Sequence, residues 1–240
     1  MTVPALRLVP SSLYGPARRR LTPRAAGRGP SSHIALTFDD GPDPCSTPAF
    51  VDLLARHEVT ATFFLVGERA EQHPDIVRAL LDAGHELAVH GWTHRCAAVL
   101  RPADLGADVK RTRQLLEGHG HIGTRWYRPP YGIATLSSTA AAARAGLTPL
   151  LWTAWGRDWA RSATPDSIVR TVQRTLRPGG TVLLHDTDAY SAPGSWRRTL
   201  AATDELLDRW HEAGLEVGPA RDHPIFDSWR PRRAPARVDA

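Results

Sequence analysis

Asp39 and Asp40 stand side by side in TFDDGP, and His90 and His94 stand four residues apart in HGWTH. An apolar run precedes each motif, so both fall in turns at the carboxyl ends of strands, where α/β barrels place their working side chains. On its own the acidic pair reads as a helix cap or an Asx turn ahead of Gly41 and Pro42. The histidine pair shifts that balance, because two imidazoles at this spacing converge on one ion if the segment between them turns. Two histidines and one carboxylate are three protein ligands with positions left open for water, the pattern of a catalytic rather than a structural metal. Asp40, His90 and His94 are the expected ligands, and a first-row divalent ion is what such a set takes.

Hydrolysis of an amide or ester at such a centre needs a base for water, a donor for the developing oxyanion and an acid for the leaving group. Asp39 is left over to act as the base. The motif RPPYG brings Arg128, whose guanidinium favours the charged form of that carboxylate, on a loop stiffened by two prolines. The run TVLLHD ends in His185, expected to be an acid with a pKa near neutrality, and GRDW offers Asp158 to orient its ring.

These side chains need a scaffold that brings separate strand ends together. HIALTF, TATFFLV, HELAVH, LTPLLWTAW and TVLLH read as strands, being short, apolar and rich in β-branched residues. Helical patterns lie between them at 47–57, 74–83 before Gly84, 102–117 before Gly118, 133–145 before Gly146, and 165–176 before RPGG, with prolines opening and glycines closing several. A last amphipathic helix over 195–213 precedes a weak strand at GLEVG. Strands and helices thus alternate from 33 to 220, which predicts an α/β fold, a single-domain barrel. A doubly wound open sheet is the rival, but no glycine-rich phosphate loop follows the first strand.

Composition limits the remaining functions. With 42% hydrophobic and 23% charged residues the chain is of ordinary globular type, and no apolar run approaches the length of a membrane span. The net charge of +5 comes from arginine, with Lys110 the lone lysine. Those arginines gather toward the ends, around 18–24 and 230–237, rather than on one helical face, which argues against a nucleic-acid partner. Residues 1–30 and 224–240 are expected to be flexible Arg/Pro-rich segments flanking a domain at 31–223. The first segment has no apolar core followed by a cleavage site, so a cytoplasmic location is expected of the chain as written, with export left open should the start site be misassigned. Cys45 and Cys96 are too few for a disulfide framework. His57, His73, His85, His119, His121, His211 and His223 fit no motif and read as solvated or locally hydrogen-bonded. Trp92, Trp126, Trp152, Trp155 and Trp159 fall near the motifs and could stack on a sugar, although tryptophan in barrel strands is more often core.

Taken in order, TFDDGP, HGWTH, RPPYG, DW and LLHD resemble the five motifs of the polysaccharide deacetylases, the NodB-homology domain of carbohydrate esterase family 4. The resemblance spans about 33 to 220. It implies a distorted (β/α) barrel that binds a divalent metal, usually zinc with cobalt, nickel or manganese as substitutes, through Asp40, His90 and His94. It further implies Asp39 as general base, His185 as general acid, Arg128 and Asp158 as their partners, and the Tyr131 N–H as oxyanion donor. Pro130, Trp159 and Leu183 are then expected to line the pocket for the acetyl group of an acetylated sugar or glycan, on a protein that acts as a monomer. Two positions depart from the pattern: Gly91 stands where the family often has Ser or Thr, and Trp155 takes the first acidic position of the fourth motif. The alternatives are a metal-dependent amidase or imidase acting on a small non-carbohydrate amide, and a barrel that binds glycans without turning them over. Retention of both Asp39 and His185 argues against the latter.

Overall fold

The computed structural model describes residue 27 and residues 33–121 and 123–223. The sheet is built outward from β1 (Ile34–Asp39), whose six residues are all buried. A strand covered on both faces carries an apolar run rather than an alternating one, and Ile34, Ala35, Leu36 and Phe38 supply it. On one side Thr37, Phe38 and Asp39 pair with Thr62, Phe63 and Phe64 of β2 (Thr62–Leu65). On the other, Ala35 through Asp39 pair with Thr181 through His185 of β7 (Thr181–His185). Outward from β2 follow β3 (Glu86–Val89), β4 (Trp126–Tyr127) and β5 (Thr148–Pro149), and outward from β7 lies β6 (Ala154–Trp155). A short β8 (Val217–Gly218) joins β1 at Ile34 and Ala35. Every pairing is parallel.

The order β5-β4-β3-β2-β1-β7-β6 leaves β5 and β6 at the two ends, with no pairing between them among the described residues. The sheet curls into a half-barrel, which narrows the α/β barrel expected from the alternation of elements to the distorted form that the family resemblance implied. The segment 150–153 bridges the seam: the Leu150 N–H donates to the Tyr127 carbonyl, and the Thr153 N–H donates to that of Thr181.

Among the described residues seven α-helices cover the sheet: α1 (Thr47–Arg56), α2 (Gly67–Gln72), α3 (Pro74–Asp82), α4 (Pro102–Gly118), α5 (Leu136–Arg144), α6 (Pro165–Thr175) and α7 (Ser195–Glu212). Proline near the start of α1, α3, α4 and α6 occupies positions that lack an intrahelical acceptor, and reciprocal capping boxes open α5 (Thr135 with Ser138) and α6 (Thr164 with Ser167). Each amphipathic helix turns its apolar stripe inward, as with Ile168, Val169 and Val172 of α6. At the centre the Phe38 ring lies 5.1 Å from both Phe50 of α1 and Phe63 of β2. Removing that ring is expected to cost about 3–5 kcal/mol.

Several boundaries differ from those read in the sequence. Helix α4 runs through Gly118, and the left-handed residue beyond it is Gly120. Helix α5 begins at Leu136 rather than 133, because Pro130–Gly132 forms a separate 3-10 turn and Thr135 provides the cap. The run LTPLLWTAW is two strands of two residues, since the carbonyls of Leu150 and Leu151 are taken by Arg128 instead of by a neighbouring strand. The expected flexible segments fall outside the described residues except for Gly27, which is buried and accepts a hydrogen bond from Thr181 Oγ1. No helix among the described residues is long and apolar enough to cross a membrane.

Candidate active site

Side chains at alternate positions of a strand share a face, so Thr37 and Asp39 of β1 lie on the same side as their neighbours Leu183 and His185 of β7. Asp40, one residue on, departs from the strand in the left-handed region at φ 83° and turns its carboxylate toward the loop after β3. There its Oδ1 lies 3.3 Å from His90 Nε2 and 3.2 Å from His94 Nε2. The three candidate ligand atoms all fall within 4.8 Å of one another. Asp40 Oδ1 is nevertheless buried without a hydrogen bond among the described residues, so the three atoms face a common point rather than bonding to each other. A buried carboxylate oxygen left this way is costly unless something positive takes it, and an Asp-His-His set suits a divalent ion. The His90 ring is fixed by a 2.7 Å contact between Nδ1 and the Arg128 carbonyl, which leaves Nε2 for the ion. Burial by itself would raise the Asp40 carboxyl, but His90, His94 and His185 outweigh it and hold the group well below the usual carboxylate range.

Gly91 has φ 86°, a backbone conformation that strains any residue with a Cβ. The departure from Ser or Thr at this position thus matches a turn that lets the chain double back between the two histidines.

The other groups flank this triad. Fully buried Arg128 donates from Nη1 to Asp39 Oδ1 at 2.6 Å and to Thr37 Oγ1 at 2.9 Å. Its Nε and Nη2 donate to the seam carbonyls of Leu150 and Leu151 at 3.0 and 2.7 Å. The guanidinium is thus held from both sides. Across the mouth, His185 Nδ1 lies 3.1 Å from Asp158 Oδ1, and Asp158 Oδ2 accepts from the His185 main-chain N–H at 2.8 Å and from Thr199 Oγ1 at 3.1 Å. His185 Nε2 then faces the triad, 3.9 Å from Asp40 Oδ2. Burial opposes charge on this ring, yet Asp158, with Asp40 and Asp39 beyond it, prevails and pushes its pKa up to about 10. The near-neutral value expected from the sequence is corrected accordingly: the surrounding acids make His185 a proton holder at pH 7.

Tyr131 sits in the 3-10 turn at φ 60° with its ring 4.6 Å from that of His94, and Pro130 of the same turn lies against Gly91. An N–H at the opening of a helical turn has no acceptor within that turn, which suits it to an incoming oxygen. A run of rings closes the seam side: Trp152 to Trp155 at 6.0 Å, Trp155 to Trp159 at 4.9 Å, and Trp159 edge-on to His185 at 5.6 Å. Trp155, where the fourth motif commonly has an acid, belongs to this aromatic wall. Trp152 also packs so close to the Gly132 main chain that a Cβ there would collide with its ring. Of the sequence-predicted residues, Asp39, Asp40, His90, His94, Arg128, Pro130, Tyr131, Asp158, Trp159, Leu183 and His185 all assemble at this end of the sheet.

Two residues here were not singled out in the sequence. Asp186 is fully buried against Gly41 and Thr47, and burial pushes its carboxyl up to about 7. Tyr190 stacks on His94 at 4.1 Å between centroids and 16° between planes. Cys45 and Cys96 are both free thiols. Two clefts, of about 410 Å³ beside His33 and Gly218 and about 380 Å³ between α4 and α5, include none of the site residues.

Comparison with known proteins identifies the family. The polysaccharide deacetylase family model matches residues 26–150. A chitooligosaccharide deacetylase of Sinorhizobium fredii is 37% identical over 212 residues, covering 82% of this chain and 94% of that protein. A peptidoglycan-N-acetylglucosamine deacetylase of Bacillus cereus is 36% identical over 190 residues, covering 75% and 83%. Among solved structures, a family 4 carbohydrate esterase from Streptomyces lividans in complex with acetate superposes with a TM-score of 0.70 at 34% identity, over 80% of this chain and 95% of that one. The family is metal-dependent. With its matched length, its fold and an Asp-His-His set at the mouth of the sheet, the chain belongs to the polysaccharide deacetylase family.

Proposed function

We propose that the protein, through its 31–223 domain, hydrolyses the N-acetyl group of an N-acetylglucosamine-containing glycan, with Asp40, His90 and His94 holding a zinc ion. The observation that carries this reading is a carboxylate and an imidazole beside the triad, each with its own buried partner: Asp39 with Arg128, and His185 with Asp158. When bound, the ion supplies Lewis acidity toward the acetyl carbonyl. Asp39 takes a proton from the attacking water through Oδ2, since its Oδ1 is held by Arg128. The Tyr131 N–H donates to the oxyanion that develops on the carbonyl oxygen. His185 releases its Nε2 proton to the departing amine while Asp158 keeps Nδ1 oriented, and the sugar leaves as a free amine with acetate as co-product. Pro130, Trp159 and Leu183 form the apolar surround of the acetyl methyl, and the aromatic wall excludes water beside it.

Acetate release from N-acetylated chitooligosaccharides tests the reading. Release should cease on chelation, return with zinc or cobalt, and be absent in Asp39→Asn. A folded, zinc-loaded protein that releases no acetate from these oligomers or from N-acetylglucosamine in peptidoglycan would refute it.

A further inference from the structure

The two histidines of the triad are held in different ways. His90 has its Nδ1 against the Arg128 carbonyl at 2.7 Å, so its ring cannot rotate without breaking a buried hydrogen bond. His94 has no such tether: its Nδ1 is buried and makes no hydrogen bond among the described residues, although its Nε2 points at Asp40 Oδ1 from 3.2 Å. A ligating histidine usually offers its second nitrogen to a fixed partner that sets the plane of the ring. What meets His94 instead is aromatic surface. The Tyr190 ring lies parallel on one face at 4.1 Å and 16°, and the Tyr131 ring meets it edge-on at 4.6 Å and 62°.

Tyr190 reaches that position by crossing the mouth from the opposite side of the sheet. It belongs to the loop that joins β7 to α7, the loop that follows His185. The path is pinned at short intervals: the Ala189 N–H donates to Thr187 Oγ1 at 3.2 Å, the Ser191 N–H to the Asp188 carbonyl at 3.1 Å, and the Ala192 N–H to the Trp159 carbonyl at 3.1 Å. Tyr190 as a whole remains 39% exposed, and the Glu68 carboxylate lies beside its hydroxyl.

We propose that Tyr190 is a positioning residue for His94, its ring holding the imidazole in the ligating orientation by stacking, where His90 is held by a hydrogen bond. The inference rests on the reading of Asp40, His90 and His94 as ion ligands. It assigns the work to the ring face and not to the phenol hydroxyl. Losing the ring leaves the imidazole to find its plane anew at each binding event, and loss of a ligand's orienting partner lowers metal affinity roughly 10- to 100-fold.

The test is the zinc Kd, measured on the metal-stripped full chain by competition with a chromogenic chelator for wild type, Tyr190→Phe, Tyr190→Ala and His94→Ala, with circular dichroism confirming that each is folded. Tyr190→Phe should bind zinc as tightly as wild type, Tyr190→Ala about 10- to 100-fold more weakly, with most of its kcat restored at saturating zinc. Wild-type affinity in Tyr190→Ala, with His94→Ala weakened, would overturn the role of Tyr190 and leave the ligand set standing. A Tyr190→Phe variant as weak as Tyr190→Ala would move the effect to the hydroxyl and also overturn it. Wild-type affinity in His94→Ala would remove the ligand set and the inference together.

Discussion

Replacing Arg128 by methionine keeps the volume of the side chain but removes every donor. Asp39, 3% exposed, then has no counter-charge on Oδ1, and the carbonyls of Leu150 and Leu151 lose their partner across the seam. Breaking one side of a buried ion pair costs about 3–5 kcal/mol, because the surviving charge stays desolvated. For a domain of this size each kcal/mol moves the midpoint by about 2–4 °C, so Tm should fall by roughly 6–20 °C. Adding Asp39→Asn removes the stranded charge. The double variant should therefore regain about 0.5–3 kcal/mol over Arg128→Met alone, the range found for directly coupled pairs. Thermal and urea unfolding followed by circular dichroism in chelator, on wild type, both single variants and the double, yields the coupling energy directly. Strictly additive losses, or an Arg128→Met variant within about 1 kcal/mol of wild type, would refute the assignment of Arg128 as the counter-ion of Asp39.

Further outcomes follow from the same geometry. Asp39→Asn should reduce kcat by about 10²- to 10⁴-fold, read as acetate release, with zinc binding retained because Asp39 is not in the ligand set. Asp158→Asn removes the carboxylate that contacts His185 Nδ1 and raises it, so the His185 titration, followed by NMR of the ring protons in metal-free protein, should move down from about 10. Burial pushes His85 and His223 down to about 4, with Arg221 and His33 adding to the effect respectively. The unfolded chain binds protons at these sites from about pH 6.5 downward while the folded one does not, so their stability contribution is present above that value and is lost as pH falls toward 4. His223→Gln should flatten this loss by up to about 1.4 kcal/mol per pH unit, measured by urea unfolding across the interval.

The polar residues at the strand ends were legible in the sequence because the HGWTH histidines offered the adjacent carboxylates a shared metal, a use that a cap or turn alone would not supply. The fold brings Asp39, Asp40, His90, His94 and His185 to one end of the sheet. What sequence leaves out is anything that depends on the third dimension alone. The raised pKa of His185 depends on how near Asp158, Asp40 and Asp39 come to it, and adjacency along the chain says nothing of that. Tyr190 comes from a loop whose course is set by main-chain hydrogen bonds to Thr187 and Trp159, with no periodicity to betray it. Strands of two residues such as β4 and β5 carry too little pattern to be read, and α2 is a six-residue helix without a proline opener. His85 and His223 bore no motif and prove to be buried, His223 against His33 at 2.7 Å.

The seam has a consequence for variation within this protein. The two carbonyls that hold Arg128 belong to the stretch where the sheet is closed by covalent chain rather than by strand pairing. Inserting or deleting one residue between Pro149 and Ala154 would leave every reactive side chain in place and still displace the clamp on the guanidinium beside Asp39. Loop length is usually the freest variable of a fold. At this one crossing it should be as intolerant of change as the identity of the reactive groups themselves.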